Sequence, residues 1–141
     1  MTILTTHVGS LPRNKNLSDL LLKKENNEIY NEDAFNKVVK DSVFDIVKKQ
    51  KEVGIDIISD GEMSKISYAT YVKDRYNGFA GDSPRNAPSD LKKFPSYLKK
   101  LAESGGTPTY SRPCCVSKIS SKGDSELIAD IKNLKNAMKK N

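Results

Sequence analysis

The stretch from Asn31 to Ser59 constrains the fold more than any other part of the chain. Phe35, Val38, Val39, Val43, Ile46, Val47 and Val53 recur every three to four residues, the spacing of one buried face on a long helix. Asn31 stands where a cap is needed, and Glu32 and Asp33 put negative charge in the first turn, where the helix dipole favours it. Gly54 ends the helix, because the left-handed conformation common just past a helix end costs Gly nothing. Ile55-Asp56-Ile57-Ile58-Ser59 follows at once, short and rich in β-branched residues, and reads as a buried strand. A long helix, one Gly and then a buried strand is the alternation that produces parallel α/β sheets.

The rest of the chain extends this alternation. Residues 2–6 are β-branched and apolar enough for an opening strand, and His7 to Arg13 form a loop punctuated by Gly9 and Pro12. A helix is predicted from about Leu17 to Lys24, with Leu17, Leu20 and Leu21 on one face, ended by Asn26-Asn27. Ser64 to about Tyr76 reads as helical, with Tyr68, Tyr71, Val72 and Tyr76 as its apolar stripe. Residues 78–109 are irregular, broken by Pro84, Pro88, Pro95 and Pro108, with one short helix around Leu91–Glu103. Cys114 to Ile119 is the third strand, and Asp124 caps a final helix carrying Leu127, Ile131, Leu134 and Met138. The expectation is one α/β domain over residues 1–141, with strands near 2–6, 55–59 and 114–119. Three parallel strands leave both edges uncovered, and a closed eight-stranded barrel takes about 250 residues. The chain is therefore read as a small open sheet or as the first part of something larger.

Composition removes several function classes. The 141 residues carry a net charge of +6, from 24 basic and 18 acidic side chains. Only four of the basic residues are Arg: Arg13, Arg75, Arg85 and Arg112. The Lys pairs lie near predicted helix ends, where they complement the dipole, so the charge reads as solvated surface and not as a nucleic-acid footprint. No apolar run approaches the roughly 18–20 residues of a membrane span, and the first residues lack the basic and apolar regions of a secretory signal. Cys114 and Cys115, adjacent and on opposite faces of a strand, make neither a disulfide framework nor a zinc site with the single His. A reduced, cytoplasmic setting is expected.

Two loops fall at C-terminal ends of predicted strands, the edge on which α/β active sites form. In His7-Val8-Gly9-Ser10 the Gly permits close backbone approach, the Ser offers a hydroxyl, and the N–H groups suit a carboxylate or phosphate. In Asp60-Gly61-Glu62 two carboxylates flank a Gly, a pattern suited to a substrate ammonium group or, with burial, to a general base. Each has a plainer reading. Gly-Ser is commonly only a turn, and Asp-Gly-Glu after a strand commonly satisfies loose backbone N–H groups.

Taken together the two loops carry a resemblance. Residues 5–13, Thr-Thr-His-Val-Gly-Ser-Leu-Pro-Arg, are similar to the opening strand and loop of the catalytic domain of cobalamin-independent methionine synthase and its shorter archaeal-type relatives. Residues 50–63, Gln-Lys-Glu-Val-Gly-Ile-Asp-Ile-Ile-Ser-Asp-Gly-Glu-Met, resemble that family's second strand and acidic turn. Tyr71-Val72 through Gly78-Phe79 continue the match, and Arg112-Pro113 lead into what resembles its third strand, although Ser117-Lys118 stand where the family more often has Gly-Pro. The resemblance implies the first three βα units of a TIM (β/α)8 barrel, incomplete as given. It also implies methyl transfer, with methyltetrahydrofolate as donor, to a homocysteine thiolate bound to zinc. By that resemblance Val8, Gly9 and Ser10 hold the amino-acid end of homocysteine, Glu62 pairs with its ammonium group, and His7 and Asp60 face the site. The family's zinc ligands and catalytic His lie on later strands, so no metal ligand and no catalytic residue is assigned here. A truncated or split methyltransferase of methionine biosynthesis is the reading, completed by a C-terminal polypeptide. The alternative is a non-catalytic assembly fragment that needs such a partner.

Overall fold

The computed structural model describes residues 3–81, 83, 89–103 and 113–140. Helix α1, Lys15–Glu25, begins where the Asn14 side chain accepts the Leu17 N–H at 2.8 Å. Helix α2, Glu32–Glu52, is capped in the same way by Asn31, which accepts the Ala34 N–H at 2.9 Å. It ends at Val53, with Gly54 left-handed at φ 79°. For α2 these are the bounds that capping chemistry and apolar spacing lead one to expect, whereas α1 starts two residues before the expected Leu17 because Asn14 caps it.

The core lies between α1, α2 and the loop that follows residue 59. Leu17 and Leu21 of α1 pack with Phe35, Val39, Val43 and Val47 of α2, and Met63 and Ile66 of the loop join them. The loop is thus pinned by two apolar side chains on its own C-terminal side. Helix α5, Ser125–Lys140, lies along α2 and inserts Ala137 into the same core, with Leu134 packed against it. Of the expected apolar stripe of α5, only Leu134 meets the core. Leu127, Ile131 and Met138 remain 40–44% exposed, because the helix approaches α2 through the small Ala137.

The strands differ most from expectation. The segments near 3–6 and 55–59 run parallel but meet in a single bridge, Thr6 with Ile57. The Asp56 carboxylate clamps the same place, accepting from both the N–H and the Oγ1 of Thr5 at 2.8 Å, and these bonds hold it below the usual carboxylate range. The third expected strand is present as β2, Cys114–Ser121, yet its partner is β1, Tyr76–Ala80, and the pair is antiparallel. So three parallel strands are not formed, and a barrel is not seen among the described residues. All eight residues of β2 are exposed, Lys118 included. The cause is visible in the pattern: Val116 and Ile119 are an odd number of positions apart and fall on opposite faces, so neither face is continuous enough to bury.

Helix α3, Tyr68–Arg75, is shorter than the expected 64–76 because a capping box between Ser67 and Thr70 starts it late and Tyr76 continues into β1. Its expected tyrosine stripe is not core. Tyr68 is exposed, whereas Thr70 and Arg75 are buried. Arg75 donates to the Tyr71 hydroxyl and reaches Asp124 at 3.1 Å, tying α3 to the turn before α5. Within the excursion after Gly78, a 3-10 turn at Leu91–Lys93 precedes α4, Pro95–Glu103; the expected breaks at Pro84, Pro88 and Pro108 lie outside the described residues.

Gly78 is the residue on which the ribbon depends. At φ 95°, a Cβ there would stand 2.8 Å from the Ser117 carbonyl oxygen and 2.9 Å from that of Lys118. Backbone cannot yield as a side-chain tip does. Gly78→Ala is therefore expected to open the β1–β2 ribbon by roughly 2 kcal/mol. Amide hydrogen exchange across Tyr76–Ala80 measures this, with exchange in α1 and α2 unchanged.

Candidate functional site

The Thr6–Ile57 bridge places the two loops side by side, since each leaves its extended segment in the same direction. Leu11 N–H then donates to the Gly61 carbonyl at 3.0 Å, joining the loops by backbone. Above that bond the Ser10 hydroxyl donates to Glu62 Oε2 at 2.5 Å. The resemblance assigned Ser10 and Glu62 to one pocket, and the structure brings them into contact.

Glu62 holds an uncommon backbone conformation. Its φ is 57° and that of Gly61 is 62°, so two successive residues are left-handed. For a non-Gly residue this is unfavourable and needs outside support. The support is explicit. Asp60 Oδ1 accepts the Glu62 N–H at 2.9 Å, and Ser59 Oγ accepts the Gly61 N–H at 3.3 Å. Arg13 Nη2 donates to the carbonyls of Glu62 at 2.9 Å and Lys65 at 2.8 Å. Burial lowers the Arg13 guanidinium from its ordinary value, with Glu62 and Asp60 acting in the opposite sense; an Arg remains cationic throughout. Beneath the turn, Gln50 of α2 is 3% exposed and holds Ser59 from both sides, donating to its carbonyl at 2.8 Å and accepting its N–H at 3.1 Å.

Gly9 is left-handed at φ 92° with open space where a Cβ would stand, and Val8 is exposed, so this arm faces solvent. His7 is half-buried, and its Nε2 is enclosed without a hydrogen-bond partner. A cleft of about 300 Å³ opens between the helices and is lined by Lys24, Glu25, Tyr71 and Asp130 among others, but not by residues 7–10, 60 or 62. The paired loops form an open rim. Arg13 and Gln50 had no role assigned from sequence. Gln50 was nonetheless findable: it occupies the next position of the apolar face after Ile46 and Val47, where an amide needs a partner.

No three His, Cys, Asp or Glu side chains among the described residues stand together as a metal-binding group. Cys114 and Cys115 are exposed thiols on β2. The described residues therefore do not fit the zinc ion that the resemblance implies for a complete domain.

Comparison with known proteins identifies a family. The family of cobalamin-independent synthase catalytic domains matches residues 3–89, which hold both loops. The chain belongs to this family. A methionine synthase of Sulfolobus acidocaldarius is 36% identical over 83 residues, covering 56% of this chain and 23% of that protein. A 5-methyltetrahydropteroyltriglutamate–homocysteine methyltransferase of Bifidobacterium longum is 31% identical over 75 residues, or 53% of this chain and 10% of its own length. One of the same name in Thermotoga petrophila is 25% identical over 76 residues. This cobalamin-independent synthase member thus spans between a tenth and a quarter of the length of such relatives. No helix among its described residues is long and apolar enough to cross a membrane.

Proposed function

We propose that this chain supplies the amino-acid-binding rim of a cytoplasmic methionine-synthase-type S-methyltransferase. In this reading Glu62 receives the ammonium group of homocysteine, or of a similar thiol, and the Val8-Gly9-Ser10 loop receives its carboxylate through backbone N–H groups. His7 and Asp60 border the bound molecule. The observation that carries the reading is the Ser10–Glu62 hydrogen bond, which joins the two loops that match the family. Glu62 Oε1 makes no hydrogen bond among the described residues and is available to a ligand cation. Methyl-folate is the proposed donor. The zinc ligands and catalytic His belong, in this proposal, to polypeptide that completes a barrel, whether a continuation of this chain or a separate one. The activity of the chain by itself is then binding without turnover.

Titration calorimetry of the chain with homocysteine, alone and with zinc, tests this. Binding of homocysteine that does not depend on zinc is expected. Zinc binding of its own, at tight affinity, would contradict the placing of the zinc ligands elsewhere, and indifference to homocysteine would remove the proposed site. The second reading, an assembly fragment without catalytic descent of function, is favoured by the exposed Leu127, Ile128 and Ile131 of α5, and a homocysteine-binding result counts against it.

A further inference from the structure

Lys65 lies outside every role given so far, yet three elements converge on it. Its side chain is 15% exposed, in a protein where most Lys side chains are solvated. Its Nζ is 3.9 Å from Asp60 Oδ2 and 3.5 Å from Asp130 Oδ2 of α5, and Asp130 is also only 15% exposed. The same Nζ sits 4.4 Å over the Tyr71 ring of α3. Its own carbonyl accepts from Arg13, and its N–H donates to the Glu62 carbonyl at 3.4 Å. At 15% side-chain exposure, on the wall of the cleft, this cation is held between two carboxylates and is less screened than a fully solvated Lys.

The geometry points to Lys65 as a positioning residue for Glu62. The ammonium attracts one oxygen of Asp60, Oδ2, while the other, Oδ1, accepts the Glu62 N–H. Orienting that carboxylate therefore holds Glu62 in the left-handed conformation that turns its side chain to Ser10. Asp130 is the outer anchor of this chain of contacts, so docking of α5 and occupancy of the rim are linked. Whatever stabilises one stabilises the other by the same factor. This rests on the reading of Glu62 as the ammonium partner, and extends it by naming what sets the carboxylate and which distant helix biases it.

Two measurements on the full chain separate the possibilities. Amide hydrogen exchange at Glu62 needs no ligand. Lys65→Met is expected to lose about tenfold of the protection at Glu62, Asp130→Asn to lose part of it, and Lys65→Arg to keep most of it. Val43→Ala serves as control, because it weakens the core without touching the turn, and it is expected to leave the ratio of Glu62 protection to α2 protection unchanged. Equal protection in Lys65→Met and the parent overturns the positioning role, as does loss in the control of the same relative size. The second measurement titrates parent and variant with homocysteine and with 4-sulfanylbutanoate, which lacks the ammonium group. Lys65→Met is expected to lose about tenfold in homocysteine affinity and less than about twofold for the other thiol. A parent that binds both thiols alike overturns the Glu62 reading itself, and the exchange experiment then still decides Lys65. A parent that prefers homocysteine, with the preference intact in Lys65→Met, overturns only the present inference.

Discussion

Glu62→Gln is expected to bind homocysteine about thirtyfold more weakly than the parent and to bind 4-sulfanylbutanoate within about twofold of it, the span of a charge-assisted hydrogen bond to a half-buried partner. The substitution keeps the shape of the side chain and an oxygen to accept from Ser10, so the Ser10–Glu62 contact survives. The Asp60–Glu62 and Arg13–Glu62 bonds use the backbone of residue 62 and are indifferent to its side chain. Only the negative charge is lost. A ligand ammonium feels that loss directly, whereas a ligand without one does not. Parallel calorimetric or NMR titrations give the two affinities, and the melting temperature serves as the fold control. If both thiols weaken alike, the loss is structural. If neither weakens, Glu62 does not meet the ligand, and the rim has another purpose or none.

How the site was legible from sequence follows from the range of the interactions involved. Local signals stood out because their partners are a few residues away: Asn31 bonds three residues ahead, and Gly54 needs only its own φ. The two loops were legible because each follows a segment whose β-branched run marks where it ends. Their contact, fifty-two positions apart in Ser10 and Glu62, came from resemblance and not from any local rule. Strand pairing was misjudged for the same reason. Cys114–Ser121 has the composition of a strand, but its direction depends on which partner is near, and β1 lay inside a stretch read as helix end and loop. Gly78 was the overlooked clue, a residue whose missing side chain lets two backbones approach. Helix α5 shows the converse error. Its apolar spacing marks a stripe, but packing uses Ala137 and Leu134 and leaves Leu127, Ile131 and Met138 outside, since small residues let helices come close.

Gln50 carries the largest expected effect on stability. Gln50→Leu preserves volume but removes every bond the amide makes: donation to the carbonyls of Ile46 and Ser59, and acceptance from the Ser59 N–H and, at 3.5 Å, the Ser59 hydroxyl. At 3% exposure no water replaces them without opening the core. Half-buried Ser59 then loses the partners of its N–H and carbonyl, and a cost of about 3 kcal/mol is expected in urea unfolding. The consequence reaches the rim. Ser59 Oγ receives the Gly61 N–H, Gly61 carbonyl receives the Leu11 N–H, and Leu11 adjoins Ser10. Loosening Ser59 therefore frees both loops at once, whereas Lys65→Met loosens only the Asp60–Glu62 half. Amide exchange distinguishes the two patterns. In Gln50→Leu the Leu11, Gly61 and Glu62 amides are expected to lose protection together, and in Lys65→Met Glu62 alone loses it. A Gln50→Leu protein as stable as the parent would show that the turn stands without α2 beneath it, and the clamp would then have no part in holding the rim.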